Sequence, residues 1–165
     1  MSSKQEKTVT QLQEELSLLE QEYEEKKKYL QRELKKRRKK AQKKGLLIPA
    51  RSFSTTLTPL ETIVSALHSW YGLLVKEIAE LLQRPTSSID AALANSQKKG
   101  VGLYRFEDEQ IQVDVAAIDP SLSPAKAVIA HLLQQELSPA SIARLIGRDQ
   151  RNIAKVRDEL GGDLS

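Results

Sequence analysis

Two stretches of this 165-residue chain are versions of one another, and that repetition restricts its fold more than any other feature. IPARSFSTTLTPLETIV, from Ile48, aligns at an offset of 65 with VDVAAIDPSLSPAKAVI, from Val113. Ile48 matches Val113, Phe53 matches Ile118, Leu57 matches Leu122 and Pro59 matches Pro124. One residue is lost farther on, and the offset becomes 64. Leu73, Ile78, Ala79, Leu81, Arg84 and Ile89 then meet Leu137, Ile142, Ala143, Leu145, Arg148 and Ile153 as identical types. The matches fall on helix-packing positions and turns, the pattern of one structural unit used twice. Each copy reads as a short extended segment, a first helix, and then a pair of helices.

The helix starts are marked by local chemistry. Thr58-Pro59, Ser123-Pro124 and Ser138-Pro139 each place a hydroxyl at the N-cap and a proline at the first helical position, where its missing N–H is harmless. Thr58 with Glu61 completes a capping box. Between the copies, GLYRFEDEQIQVDV alternates Tyr104 and Phe106, then Ile111, Val113 and Val115, around a polar turn at Glu107–Gln110. That alternation predicts a β-hairpin connector, with Glu107, Asp108 and Glu109 as solvated turn residues rather than metal ligands. The fold class expected is mainly α: an N-terminal charged coiled-coil helix, then two repeated tri-helical helix-turn-helix units with a small β-hairpin between them. The boundaries are 1–44 for the charged helix, 45–100 for the first unit, 101–116 for the connector and 117–165 for the second unit. No linker between the copies is long enough to swing freely, which favours a packed body.

The first segment has its own logic. From Val9 to about Lys44 there is no Gly or Pro, and Glu, Lys, Leu and Gln dominate, all good helix formers. Val9, Leu12, Leu16, Leu19, Tyr23 and Leu30 fall at alternating spacings of three and four, with Lys26 filling the missing place between Tyr23 and Leu30, a heptad seam of about three repeats suited to homodimerisation. The orientation of such a coil stays open. Residues 1–25 hold two Lys against seven Glu, whereas residues 26–44 hold twelve Lys or Arg against one Glu. Most of that positive charge is KKRRKKAQKK, in which Lys35, Lys36, Arg37, Arg38, Lys39, Lys40, Lys43 and Lys44 are candidate phosphate contacts. In a eukaryotic source the same block could serve as a nuclear import signal.

The helical pairs carry the second candidate site. In the second copy Ile142, Leu145 and Ile146 line one helix, Gly147 turns the chain, and Ile153, Val156 and Leu160 line the next. Ala143, Gly147 and Ile153 give the Ala-x3-Gly-x5-Ile skeleton of a DNA-binding helix-turn-helix, with Asp149 capping the second helix. Its outward residues are Gln150, Arg151, Asn152, Lys155 and Arg157, joined by Arg148 from the turn. Gln and Asn can pair with adenine edges, Arg with guanine, and Lys with phosphate. The first copy keeps Ile78, Ala79, Leu82 and Ile89, but Gln83 replaces the turn glycine and Pro85 starts the second helix. Its outward face is Thr86, Ser87, Ser88, Asp90 and Ala91, where only the hydroxyls suit DNA.

LTPLETIVSAL…LLVKEIAELLQRPTSSID and LSPAKAVIAHL…LSPASIARLIGRDQRNI resemble region four of bacterial sigma factors and related response-regulator-type helix-turn-helix units. The tandem arrangement is similar to archaeal proteins that carry two such units. The resemblance spans about residues 46–160 and implies a tri-helical fold with DNA-associated regulation, without naming a target. It implicates Gln150, Arg151, Asn152 and Lys155, then Thr86, Ser87 and Ser88, in recognition. No promoter-melting segment accompanies the two units, so a complete sigma factor is not implied.

Other functions find less support. The chain has no cysteine, which excludes disulfides, thiolate zinc sites and cysteine nucleophiles. No nucleophile elbow, metal-ligand spacing or glycine-rich phosphate loop occurs, so neither an enzyme nor a cofactor or metal is expected. His68 and His131 read as partly buried helix residues, and Trp70-Tyr71 as a lid on the first copy's core. No signal-peptide core or membrane span is legible, and a cytoplasmic, nucleoid-associated protein is expected. Three readings remain. The first is a DNA-binding regulator or architectural protein, dimeric through its first helix and bound to double-stranded DNA. The second is an RNA- or ribosome-associated basic protein. The third is an adaptor docking on transcription machinery through the first copy's uncharged face.

Overall fold

The computed structural model describes residues 7–103 and 110–161, apart from the side chains of residues 38 and 40–44. It divides into two compact units, Met1–Lys39 and Lys40–Ser165. The first is the greater part of one long helix, α1 (Val9–Lys44), about 54 Å from end to end at about 1.5 Å per residue. Thr8 caps it reciprocally: its Oγ1 accepts the Gln11 N–H at 3.3 Å, and Gln11 Oε1 accepts the Thr8 N–H at 3.0 Å. The apolar seam is uncovered, with Val9 71 % and Tyr23 66 % exposed.

The second unit, the body, runs twice through one series of elements. The first repeat holds β1 (Leu47–Pro49), a 3-10 turn at Ala50–Ser54, α2 (Pro59–Ser69), α3 (Val75–Leu82) and α4 (Thr86–Lys99). The second holds β2 (Gln112–Asp114), a 3-10 turn at Val115–Ala117, α5 (Pro124–Gln134), α6 (Pro139–Ile146) and α7 (Gln150–Gly161). The caps behave as their chemistry dictates. Thr58 Oγ1 accepts the Glu61 N–H while Glu61 Oε2 accepts the Thr58 N–H. Ser123 and Ser138 accept from Lys126 and Ser141 in the same way. The repetition extends to backbone that no local rule requires. Gly72 and Glu136 are equivalent and both left-handed, at φ +66° and +62°. Gln83 and Gly147 are also equivalent, at φ +52° and +63°. Gln83 therefore adopts the glycine conformation despite its Cβ, at a cost of roughly 1–2 kcal/mol. The turn closes identically in both copies, the Arg84 N–H donating to Ala79 O at 3.0 Å and the Arg148 N–H to Ala143 O at 3.1 Å.

The sheet corrects the expected connector. β2 pairs antiparallel with β1, Ile48 opposite Val113, so its partner among the described residues lies outside 101–116. The other expected arm, Tyr104 and Phe106, and the Glu107–Glu109 cluster lie outside the described residues. Ile48 and Val113 are repeat equivalents, so their pairing relates the copies by an approximate twofold axis. It also buries both side chains completely, which a free two-stranded ribbon could not do.

Around this axis the copies exchange their entry segments. The Ala50–Ser54 turn of the first packs on α6 of the second, and Ser54 lies 3.5 Å from where a Cβ on Gly147 would stand. In return Arg84 Nη2 of the first donates to Leu122 O of the second at 3.4 Å. α2 also packs on α5. One continuous core results, in which Ile63, Ile78 and Ile89 join Val128, Ile142 and Ile153, all within 1 % of complete burial. Trp70 and Tyr71 pack half-buried at its edge.

Candidate nucleic-acid interface

α7 begins where Asp149 Oδ1 accepts the Arg151 N–H at 2.8 Å. Ile153 and Val156 face the core and Leu160 is half-buried, so the helix is anchored along one side. At 100° per residue the outermost positions opposite that side are Arg151, Lys155 and Asp158. Each is exposed. Asn152 and Lys155 form the wall of a cleft facing α5, while Gln150 and Arg157 occupy the opposite edge of the helix. Arg157 Nη2 lies 3.4 Å from Asp158 Oδ1, a long and solvent-exposed ion pair. Arg148, in the turn before α7, is exposed and has no side-chain partner among the described residues.

Three charges bearing on this surface escape a reading of the helix-turn-helix skeleton alone. Arg144 is exposed in the last turn of α6, one helical turn before Arg148. Asp158 brings negative charge to the outer face of α7; its spacing of seven from Arg151 was the signal. Glu159 pairs with Lys126 of α5 at 2.9 Å. That bond, with the Lys126 charge and then Lys155, holds the Glu159 carboxyl below its ordinary range.

α4 occupies the equivalent place in the first repeat with different chemistry. Thr86 and Ser87 are exposed, but Ser88 is half-buried, which corrects its expected outward position. The outermost line of α4 is Ser87, Ala91 and Ala94, against Arg151, Lys155 and Asp158 on α7. Pro85 stands at the N-cap and supplies no side-chain acceptor. Arg84, the twin of Arg148, is half-buried and holds the neighbouring repeat's backbone.

No family model, characterised protein or solved structure matches this chain. Its side chains alone carry the functional reading.

In the N-terminal unit, Lys35, Lys36, Arg37 and Lys39 are exposed. Lys36 Nζ lies 3.0 Å from Glu33 Oε1, a surface pair that solvent leaves weak. The side chains of Arg38, Lys40, Lys43 and Lys44 lie outside the described residues. Leu12, Leu16, Leu19 and Leu30 are half or more exposed along the seam with Val9 and Tyr23, and Leu18, Tyr29 and Leu34 add apolar surface away from it.

Among the described residues, His68 and His131 each contact backbone rather than a charged side chain within hydrogen-bond distance. His68 Nδ1 lies 3.0 Å from Leu73 O. His131 Nε2 accepts the Asp114 N–H at 3.3 Å, while its Nδ1 is buried without a partner among the described residues. Burial pushes the His131 pKa down, against the opposing pull of the Asp114 charge. Among the described residues no group of His, Asp and Glu could hold a metal ion, and no helix is long and apolar enough to cross a membrane.

Proposed function

We propose that this chain is a non-enzymatic DNA-binding regulator or nucleoid-associated protein of the cytoplasm. α6 and α7 act as its helix-turn-helix, and α7 lies in the major groove of double-stranded DNA. Arg151 and Lys155 face the bases and adjacent phosphates, with Gln150, Asn152 and Arg157 beside them, while Arg148 grips backbone. The basic block Lys35–Lys44 adds salt-sensitive phosphate contact, and the seam of α1 brings two copies together, raising avidity. One observation carries this reading: α7 is anchored along one side by Ile153 and Val156 and exposes Arg151 and Lys155 along the other. Asp158 on the same line sets a limit, because phosphate must pass to one side of it.

The weakly charged outer line of α4, flanked by Asp90 and ending at Lys98, favours a second role within the same protein. Ser87, Ala91 and Ala94 are exposed and uncharged, which suits docking on a protein, such as a component of the transcription machinery, better than gripping a polyanion.

Fluorescence anisotropy of the full chain on duplexes of varied sequence, across a salt series, tests the proposal. Replacing both Arg151 and Lys155 by Ala is expected to abolish selectivity among duplexes, since a bidentate base contact contributes about 1–3 kcal/mol. Replacing Lys35, Lys36, Arg37 and Lys39 by Gln lowers affinity for every duplex and flattens the salt slope by about 0.9 per lost phosphate contact. Unchanged duplex binding in the α7 variant would refute the groove-reading role. Preference for single-stranded or structured RNA would instead identify an RNA-associated protein.

A further inference from the structure

The repeat supplies an internal control for a cleft in the body. Between α5 and α7 a cavity of about 370 Å³ opens over Phe53, Val128, Ile129, Ile146 and Val156. A hollow of the first repeat that shares the equivalents Ile118, Ile63 and Leu82 but is not walled by α4 holds about 20 Å³. Three differences separate the two. Leu60 and Ile63 stand where the second repeat has the smaller Ala125 and Val128. Lys99, in the last turn of α4, reaches across to Glu61 Oε2 at 2.8 Å and to Thr56 O at 3.4 Å. Finally, Arg84 is held against Leu122 O, whereas Arg148 at the larger cleft has no side-chain partner among the described residues.

The charge at the rim differs as well. Glu61 occupies the position of Lys126, and Ala91 that of Lys155, so the first repeat is acidic or neutral where the second is cationic. Lys126, Arg148 and Lys155 rim the open cleft, with Glu159 beside them. Glu159 neutralises Lys126 through their 2.9 Å bond, which leaves Arg148 and Lys155 to meet a ligand. An apolar floor beneath Arg148 and Lys155, neither in an ion pair among the described residues, suits an amphiphilic anion, and 370 Å³ falls in the small-molecule range of about 300–1,000 Å³.

We propose that the α5–α7 cleft binds a small carboxylate with an apolar body, an aromatic or medium-chain aliphatic acid. Its hydrocarbon lies on Val128, Ile146 and Val156, and its carboxylate meets Arg148 and Lys155. Because Arg148, Asn152 and Lys155 are shared with the surface proposed to bind DNA, such a ligand competes with or reorients α7 on the duplex. That coupling rests on the DNA reading; the binding site itself does not.

Decanoate and 1-decanol, titrated calorimetrically into the full chain without DNA, separate the two claims. Decanoate is expected to bind saturably at one site per chain, with decanol at least tenfold weaker. Arg148→Gln should weaken decanoate about tenfold and leave decanol unchanged. Ala125→Leu with Val128→Ile, which installs the first repeat's side chains, should abolish binding of both. Amide chemical-shift mapping of the unaltered chain should place the decanoate perturbations at Lys126, Arg148, Ile153 and Lys155, a result independent of how any variant folds. Absence of saturable binding, equal affinity for decanol, or perturbations centred elsewhere would each overturn the site. Saturable binding by a chain that shows no duplex selectivity would keep the site and discard only the coupling.

Discussion

Where α4 exposes Ser87, Ala91 and Ala94, α7 exposes Arg151, Lys155 and Asp158 at the same places in the repeat. Beneath α4 the core is closed, with Lys99 locked onto Glu61; beneath α7 a cleft opens and Lys126 pairs with Glu159 in solvent. The backbone of the two copies nevertheless agrees down to left-handed residues that are glycine in one and not in the other. Packing positions and surface positions are thus separable. A scaffold can be held fixed by Ile78 and Ile142, or Ile89 and Ile153, while three outer positions of its last helix change from Ser87, Ala91 and Ala94 to Arg151, Lys155 and Asp158.

The comparison can be broken most severely at the shared core. Ile89→Ala and Ile153→Ala remove equivalent, completely buried side chains, and each is expected to cost about 2–5 kcal/mol. Because the core is continuous across both repeats, chemical denaturation should show one cooperative transition of the body in either variant. Two separated transitions would mean that the repeats fold independently.

A smaller effect distinguishes the two ion pairs that link the first and last helices of each repeat. Lys99→Ala strands the Glu61 carboxylate, whose side chain is 8 % exposed, and should destabilise by about 1–3 kcal/mol. Lys126→Ala breaks a pair with both members over 40 % exposed and should cost about 0–1 kcal/mol. Equal losses in urea melts would erase the distinction between a closed and an open repeat.

The left-handed turns sharpen the comparison at about 1 kcal/mol. Gln83→Gly removes a strained Cβ and should stabilise by about 0.5–1 kcal/mol. Gly147→Ala should destabilise by about 1 kcal/mol through its φ of +63°, since the added Cβ meets Ser54 only at ordinary contact distance. Opposite signs in thermal melts are the expected outcome.

The smallest contribution is confined to one repeat. His131 aligns with Ala66, so its titration has no counterpart in the first copy. Its pKa is pushed below the ordinary 6.5 in the folded state, so the unfolded chain binds the proton more readily. The stability contributed by the neutral ring is full above about 6.5 and declines as pH falls from there toward the folded value. Denaturation midpoints measured between pH 7.5 and 5 should show this decline, and His131→Asn should remove its share.

Much of this architecture was legible in local chemistry. Hydroxyl–proline pairs marked the starts of α2, α5 and α6, and the loss of Gly and Pro across Val9–Lys44 marked α1. The spacing of Ile142, Ile146, Ile153 and Val156 identified the buried sides of α6 and α7. Most of the charged residues of α7 were legible because they alternate with that apolar spacing. Such features act within one or two helical turns, where periodicity and capping leave the chain few choices.

The rest depended on residues far apart in sequence. Alternation around Val113 suggested a hairpin with its neighbour, yet the strand pairs with Ile48, 65 residues away, a pairing that buries both side chains in the common core. The local differences around Arg84 and Arg148 do not name their partners, but exchange of entry segments places Leu122 O against one and leaves the other at an open cleft. Sequence determined the helices, their buried sides and the contrast between the outer positions of α4 and α7. Tertiary structure decided the strand partner, the left-handed glutamine and glutamate, and the cleft, since each exists only where packing between the repeats outweighs local preference.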